Sequence, residues 1–142
     1  MNSHDPNTVR GGVMKVFLQS KNGEWDFFEN PTKEDFAERN IKIGDSAKIG
    51  DSAKIGYSAK IGDSAEIGGE YDVCVLGPIG SRKTMLTGYV LKGKLMIGTG
   101  CFLDTAEVFI GKVLLVHGDN EHAKAYQNAV NYFRLTLRGL RP

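Results

Sequence analysis

The chain has 142 residues, room for one compact domain or two very small ones and too little for a large enzyme. Its 18 basic and 17 acidic residues leave a formal charge of +1, which argues against a protein built mainly to coat nucleic acid. No apolar run is long enough to span a membrane, and the two cysteines, Cys74 and Cys101, make no disulfide framework, so a cytoplasmic protein in a reducing compartment is expected.

Residues 1–13 are polar, contain Pro6 and Gly11-Gly12, and read as a disordered leader, with Met14 a plausible native start. Residues 14–40 form an expected cap. Met14 to Leu18 is a short strand, Gly23 marks a turn, and Trp25, Phe27 and Phe28 belong to a second strand. Asn30 as N-cap and Pro31 at the first helical position start a helix through Arg39 that buries Phe36.

Residues 41–70 are built on a period of six. Ile recurs at 43, 49, 55, 61 and 67, each followed by Gly, with Ser at 46, 52, 58 and 64 and Ala at 47, 53, 59 and 65. On a helix successive Ile residues would stand 120° apart, since six steps of 100° overshoot a turn, so no single face could collect them. Three six-residue sides of an 18-residue coil do collect them, stacking Ile43 with Ile61, Ile49 with Ile67, Lys42 with Lys60 and Lys48 with Glu66. Tyr57 stands where the repeat otherwise has Asp45, Asp51 and Asp63, and an exposed ring there is a possible subunit contact. Lys42, Lys48, Lys54 and Lys60 read as a solvated face, interrupted by the acids, rather than a nucleic-acid track.

Over residues 41–69 these units resemble the hexapeptide-repeat left-handed parallel β-helix family. The resemblance implies a left-handed coil and self-association, as a homotrimer or higher homo-oligomer. Fewer than two coils also leave too small an interior to stand alone.

Residues 71–142 read as an α+β module. Tyr71, Val73 and Val75 alternate as a strand, Met85–Leu91 and Leu95–Thr99 pair around Gly93, and Asp104 with Glu107 forms a capping box for a helix to about Val116. Asn120 to Arg138 is the clearest helix, with an apolar stripe of Ala123, Tyr126, Val130, Phe133 and Leu137. The apolar phase of the repeat continues through Val73, Ile79, Met85, Leu91 and Ile97, but large residues at the corner positions favour a separate module over a longer coil. The VLGPIGSR run, Leu86-Thr87-x-Tyr89 and the His117–Glu121 run resemble small phage and prophage proteins of unassigned function, which implies a host cell cytoplasm as the setting. The expected fold is thus mixed α/β: a short left-handed parallel β-helix with flanking strands and a carboxyl α+β module ending in an amphipathic helix.

The best binding candidate is the loop from Gly77 to Thr84. Gly80 turns the backbone, Ser81 and Thr84 offer hydroxyls, and Arg82 and Lys83 offer positive charge for a phosphate, although a plain β-turn with solvated cations fits the same residues. It is no P-loop, since the Gly-x-x-x-x-Gly-Lys-Ser/Thr pattern is absent. Tyr89 or Tyr71 could stack on a base and His117 could hydrogen-bond to it. Cys101 reads as buried core. No cofactor motif and no metal-ligand spacing is present, and no catalytic set stands out. The expected function is non-catalytic binding of a phosphate-containing small molecule, with sequestration of a host immune signalling nucleotide as its phage version. A structural or protein-interaction module is the alternative, followed by a reduced hexapeptide-repeat acyltransferase that would need His117 as base.

Overall fold

The computed structural model describes residues 14–69, 72–80 and 82–140. The expected leader, Tyr71 and Ser81 lie outside these residues. The chain begins with a hairpin, β1 (Lys15–Gln19) and β2 (Trp25–Glu29), paired from Lys15↔Glu29 to Gln19↔Trp25. The helix that follows, α1 (Lys33–Glu38), starts later than expected because Thr32 is its N-cap, in a capping box with Asp35. Asn30 instead sits at φ 52° and ties down the hairpin, its side chain accepting from the Met14 N–H at 2.9 Å. Phe36 is buried, as the sequence leads one to expect.

The repeat gives five strands of two or three residues: β3 (Lys42–Ile43), β4 (Lys48–Ile49), β5 (Ala53–Ile55), β6 (Lys60–Ile61) and β7 (Glu66–Ile67). β3 pairs with β6 and β4 with β7, both parallel and both offset by 18 residues, so that Lys42 faces Lys60 and Lys48 faces Glu66. Ile49, Ile55, Ile61 and Ile67 are buried together with Ala53, Ala59 and Ala65.

The expected closed left-handed β-helix is not formed. β5 has no repeat strand beneath it, because five hexads run out before its partner; it pairs in parallel with β1, Val16↔Ala53 to Leu18↔Ile55. The repeat is therefore divided among a mixed three-stranded sheet, β2-β1-β5, and two separate two-stranded ladders, and none of these open sheets closes on itself. The fold is mixed α/β without a solenoid, and the hexapeptide-repeat β-helix resemblance does not carry over to it.

Beyond the repeat, β8 (Val73–Ile79), β9 (Thr84–Leu91), β10 (Lys94–Thr99) and β11 (Phe102–Thr105) form an antiparallel sheet in the order β11-β10-β9-β8. Lys92 and Gly93, both at positive φ, make the two-residue turn between β9 and β10, the geometry that matches strand twist. The strand β11 was not expected: it occupies the segment where a capping box was read, and α2 (Ala106–His117) is capped by Thr105 in place of Asp104. α3 (Glu121–Thr136) follows, capped by Asn120, and buries all five members of its apolar stripe.

Alternation along the sheet separates two cores, since successive strand side chains point to opposite faces. Leu86, Val90, Leu95 and Ile97 pack with α2 and α3, and Tyr89, Leu91, Met96 and Val73 pack with the repeat. β9 also covers the free edge of β6. The N–H of Lys60 donates to Thr87 Oγ1 at 2.9 Å and that of Gly62 to the Tyr89 hydroxyl at 3.1 Å. Two side-chain oxygens, two residues apart, thus take the place of a neighbouring strand.

Burial raises the Tyr89 phenol above its ordinary pKa of 10, outweighing the opposing hydrogen bond from Gly62. The folded state therefore holds this proton more tightly than the unfolded chain, so the contribution is complete below about pH 10 and is lost as pH rises through the folded value. Thr87→Val is expected to lower unfolding stability by ~1–3 kcal/mol by leaving the Lys60 N–H without its acceptor. In denaturant titrations, Tyr89→Phe should flatten the loss of stability above pH 10; an unchanged alkaline slope would contradict the role given to that hydroxyl.

Candidate functional site

The turn after β8 is the place where the sequence concentrated its binding residues, and the structure disperses them. A register shift in the β8–β9 pairing between Leu76 and Ile79 leads into it, and the Lys83 N–H closes it on the Gly80 carbonyl at 3.1 Å. That donor is consumed within the turn and is not free for an anion. Gly80, at φ 81°, lies against Tyr126 so closely that a Cβ would overlap the phenol oxygen. This places Gly80 on the helix side of the sheet, while Arg82 is exposed to solvent.

Two further expectations are corrected by packing. Tyr89 is only 1% exposed and its hydroxyl accepts from Gly62, so its ring cannot stack on a ligand base. His117 ends α2 with its ring 5.4 Å from that of His122 and 6.1 Å from that of Tyr126, in the helix hairpin, and it lies outside the lining of the cleft that Lys83 and Thr84 share. Cys101 is exposed, contrary to its assignment to the core, because it falls in the tight turn between β10 and β11. Cys74 is the partly buried one, and burial raises its thiol pKa, which keeps it protonated and unreactive at neutral pH.

Lys83 and Thr84 instead line a cleft of about 370 Å³ between the repeat and the edge of the four-stranded sheet. The repeat contributes Lys42, Tyr57, Ser58 and Lys60 to the opposite wall, with Asn40 beside them. No acidic residue is among the described residues of the lining, and none of its three lysines is ion-paired with a described residue.

The wall is held by local bonds. The Tyr57 N–H donates to Gln19 Oε1 at 3.1 Å, the Ser58 N–H to the Arg39 carbonyl at 3.1 Å, and Asn40 Nδ2 to Ser58 Oγ at 3.0 Å. Across the cleft, the hydroxyls of Thr84 and Thr99 share a hydrogen bond of 3.2 Å. Lys42 and Lys60 are register partners on adjacent strands, an arrangement that is unfavourable for like charges unless an anion lies between or beside them.

Sequence reasoning gives Lys42 and Lys60 to a solvated face and Tyr57 to a subunit contact, and none of the three to a ligand. The 18-residue stacking did place Lys42 beside Lys60, but nothing in the pattern showed that the turn carrying Lys83 folds back over that pair. A second cleft, of about 510 Å³, holds Lys92, Lys94 and Arg134 together with Glu107. There the Glu107 carboxylate lies 3.2 Å from Arg134. Hydrogen bonds from its own backbone N–H and from Arg134 hold its pKa below the usual carboxylate value, so part of that cleft's positive charge is already neutralised.

Among the described residues no group of three or more His, Cys, Asp and Glu is placed to hold a metal ion, and no helix is long and apolar enough to cross a membrane. No family model, curated protein or solved structure matches the chain. The likeness of residues 71–137 to phage proteins thus has no support from these comparisons.

Proposed function

We propose that the protein binds a phosphate-bearing small molecule, without turning it over, in the cleft between the repeat and the turn after β8. The observation that carries this reading is the convergence of Lys42, Lys60 and Lys83 on one cleft whose described lining contains no acid. Ser58 and whichever of Thr84 and Thr99 accepts in their mutual bond supply hydroxyl donors for the remaining phosphate oxygens, and an anion here relieves the repulsion between Lys42 and Lys60. The volume of about 370 Å³ sits near the lower end of the ~300–1,000 Å³ typical of small-molecule sites, which favours a compact ligand.

The test is calorimetric titration with inorganic pyrophosphate at two salt concentrations, followed by analysis of the recovered ligand. Stoichiometric binding that weakens with salt, and pyrophosphate recovered intact, is the expected result. No heat at either salt concentration would remove the reading, and hydrolysed pyrophosphate would make the protein an enzyme.

One observation favours a second reading, a self-associating or protein-interaction module. Leu115 is 86% exposed and is flanked by the exposed Leu114 and Val116, while on α3 Leu135 is 88% exposed. Exposed aliphatic side chains on two helices are the kind of surface that a second copy of the chain covers. Light scattering should then give a mass above that of one chain, reduced by Leu115→Glu; a monomer at all concentrations would dismiss it.

A further inference from the structure

We infer that Tyr57 is the base-stacking platform of the cleft, and that the ligand class is accordingly a free mononucleotide rather than a phosphate carried on a non-aromatic group. The inference rests on the phosphate reading and narrows it. Of the five equivalent positions of the repeat, three carry Asp, at 45, 51 and 63, the last carries Gly69, and none of these four lines the cleft. The remaining one, the one that does line it, carries Tyr57.

An acid at position 57 would set a carboxylate against the phosphate among Lys42, Lys60 and Lys83. The departure from the repeat removes that charge and supplies an aromatic face in its place. The ring is half-buried, and it takes no part in the ring–ring or cation–ring contacts among the described residues. Its backbone is pinned by the Gln19 side chain, and the next residue, Ser58 at φ 67°, is fixed from both sides by Arg39 and Asn40. A backbone held in place before the ligand arrives confines the ordering cost of binding to the rotation of the ring itself. Every nucleobase has a π-face, so one ring suffices for recognition without base-specific hydrogen bonds. The cleft, at about 370 Å³, is too small to favour two nucleotides at once.

The experiment compares AMP with ribose 5-phosphate, which share the phosphomonoester and differ only in the base. With the unaltered protein, AMP should bind about 5- to 150-fold more tightly, the range that one base–aromatic stack provides. Tyr57→Leu should erase that preference, and Tyr57→Phe should retain it. Equal affinities for AMP and ribose 5-phosphate in the unaltered protein, with pyrophosphate still bound, would overturn this inference and leave the phosphate reading intact. If pyrophosphate fails to bind, both fall. A ten-nucleotide single strand that outcompetes AMP would also overturn it, since the ligand would then be a nucleic acid.

Discussion

Phe133→Ala should lower unfolding stability by about 3–5 kcal/mol, the usual cost of a large cavity left by a buried aromatic ring. Phe133 is fully buried on α3 and packs against Gly88 of β9, where a Cβ would come within 2.6 Å of the ring. The ring thus fills the space that the absence of a side chain at position 88 leaves on the sheet. Gly88→Ala approaches the same contact from the other side and should cost ~1–3 kcal/mol through overpacking. In a thermal scan Phe133→Ala should lower the midpoint by roughly 10 °C. Leu135→Ala, on the exposed side of the same helix, should change stability by no more than ~0.5 kcal/mol. Equal effects at positions 133 and 135 would mean that α3 does not present its apolar stripe to the sheet.

The second large effect is on binding. Lys60→Ala combined with Lys83→Ala should weaken pyrophosphate binding by about 100-fold or more, since each charge-assisted hydrogen bond contributes ~1.5–3 kcal/mol. These two lysines come from opposite walls, one from the repeat and one from the turn before β9. Each single substitution should reduce affinity, and the double variant should be the weaker. Lys92→Ala, in the other cleft, serves as the control and should leave pyrophosphate affinity unaltered. Should Lys92→Ala carry the loss and the double variant bind normally, the anion site lies beside Arg134 instead.

Local chemistry and stacking were readable from the chain; the route of the chain between layers was not. The 18-residue offset that pairs Ile43 with Ile61 and Ile49 with Ile67 follows from the spacing of buried side chains alone, and so does the apolar stripe of α3. Closure into a coil does not follow from that spacing. It requires a partner for every side, and β5 found its partner in Val16–Leu18, a segment outside the repeat with ordinary strand alternation. Helix starts were displaced because several side chains could cap: Thr32 prevailed over Asn30, and Thr105 over Asp104.

The candidate site shows the same division. Lys83 and Thr84 were singled out from their own loop, because a cation and a hydroxyl beside glycine can donate to an anion whatever surrounds them, although the same residues also suit a plain β-turn. Lys42, Lys60 and Tyr57 required knowing that β9 lies along β6, and that docking is made by Thr87 and Tyr89, two residues whose hydroxyls bond across 27 positions of sequence. Tyr89 had been read as a ligand-facing ring, yet its place in the alternation of β9 turns it into the interior. A single exposed-looking aromatic in a strand carries no record of which face is covered.

The most direct measurement is a backbone amide NMR titration with inorganic pyrophosphate. Shifts concentrated at residues 40–42, 57–60, 83–85 and 99–100 are predicted, saturating with one ligand per chain. Saturable shifts confined to residues 92–95, 105–107 and 134, or spread over the surface without saturation, would contradict a phosphate site between the repeat and the turn before β9.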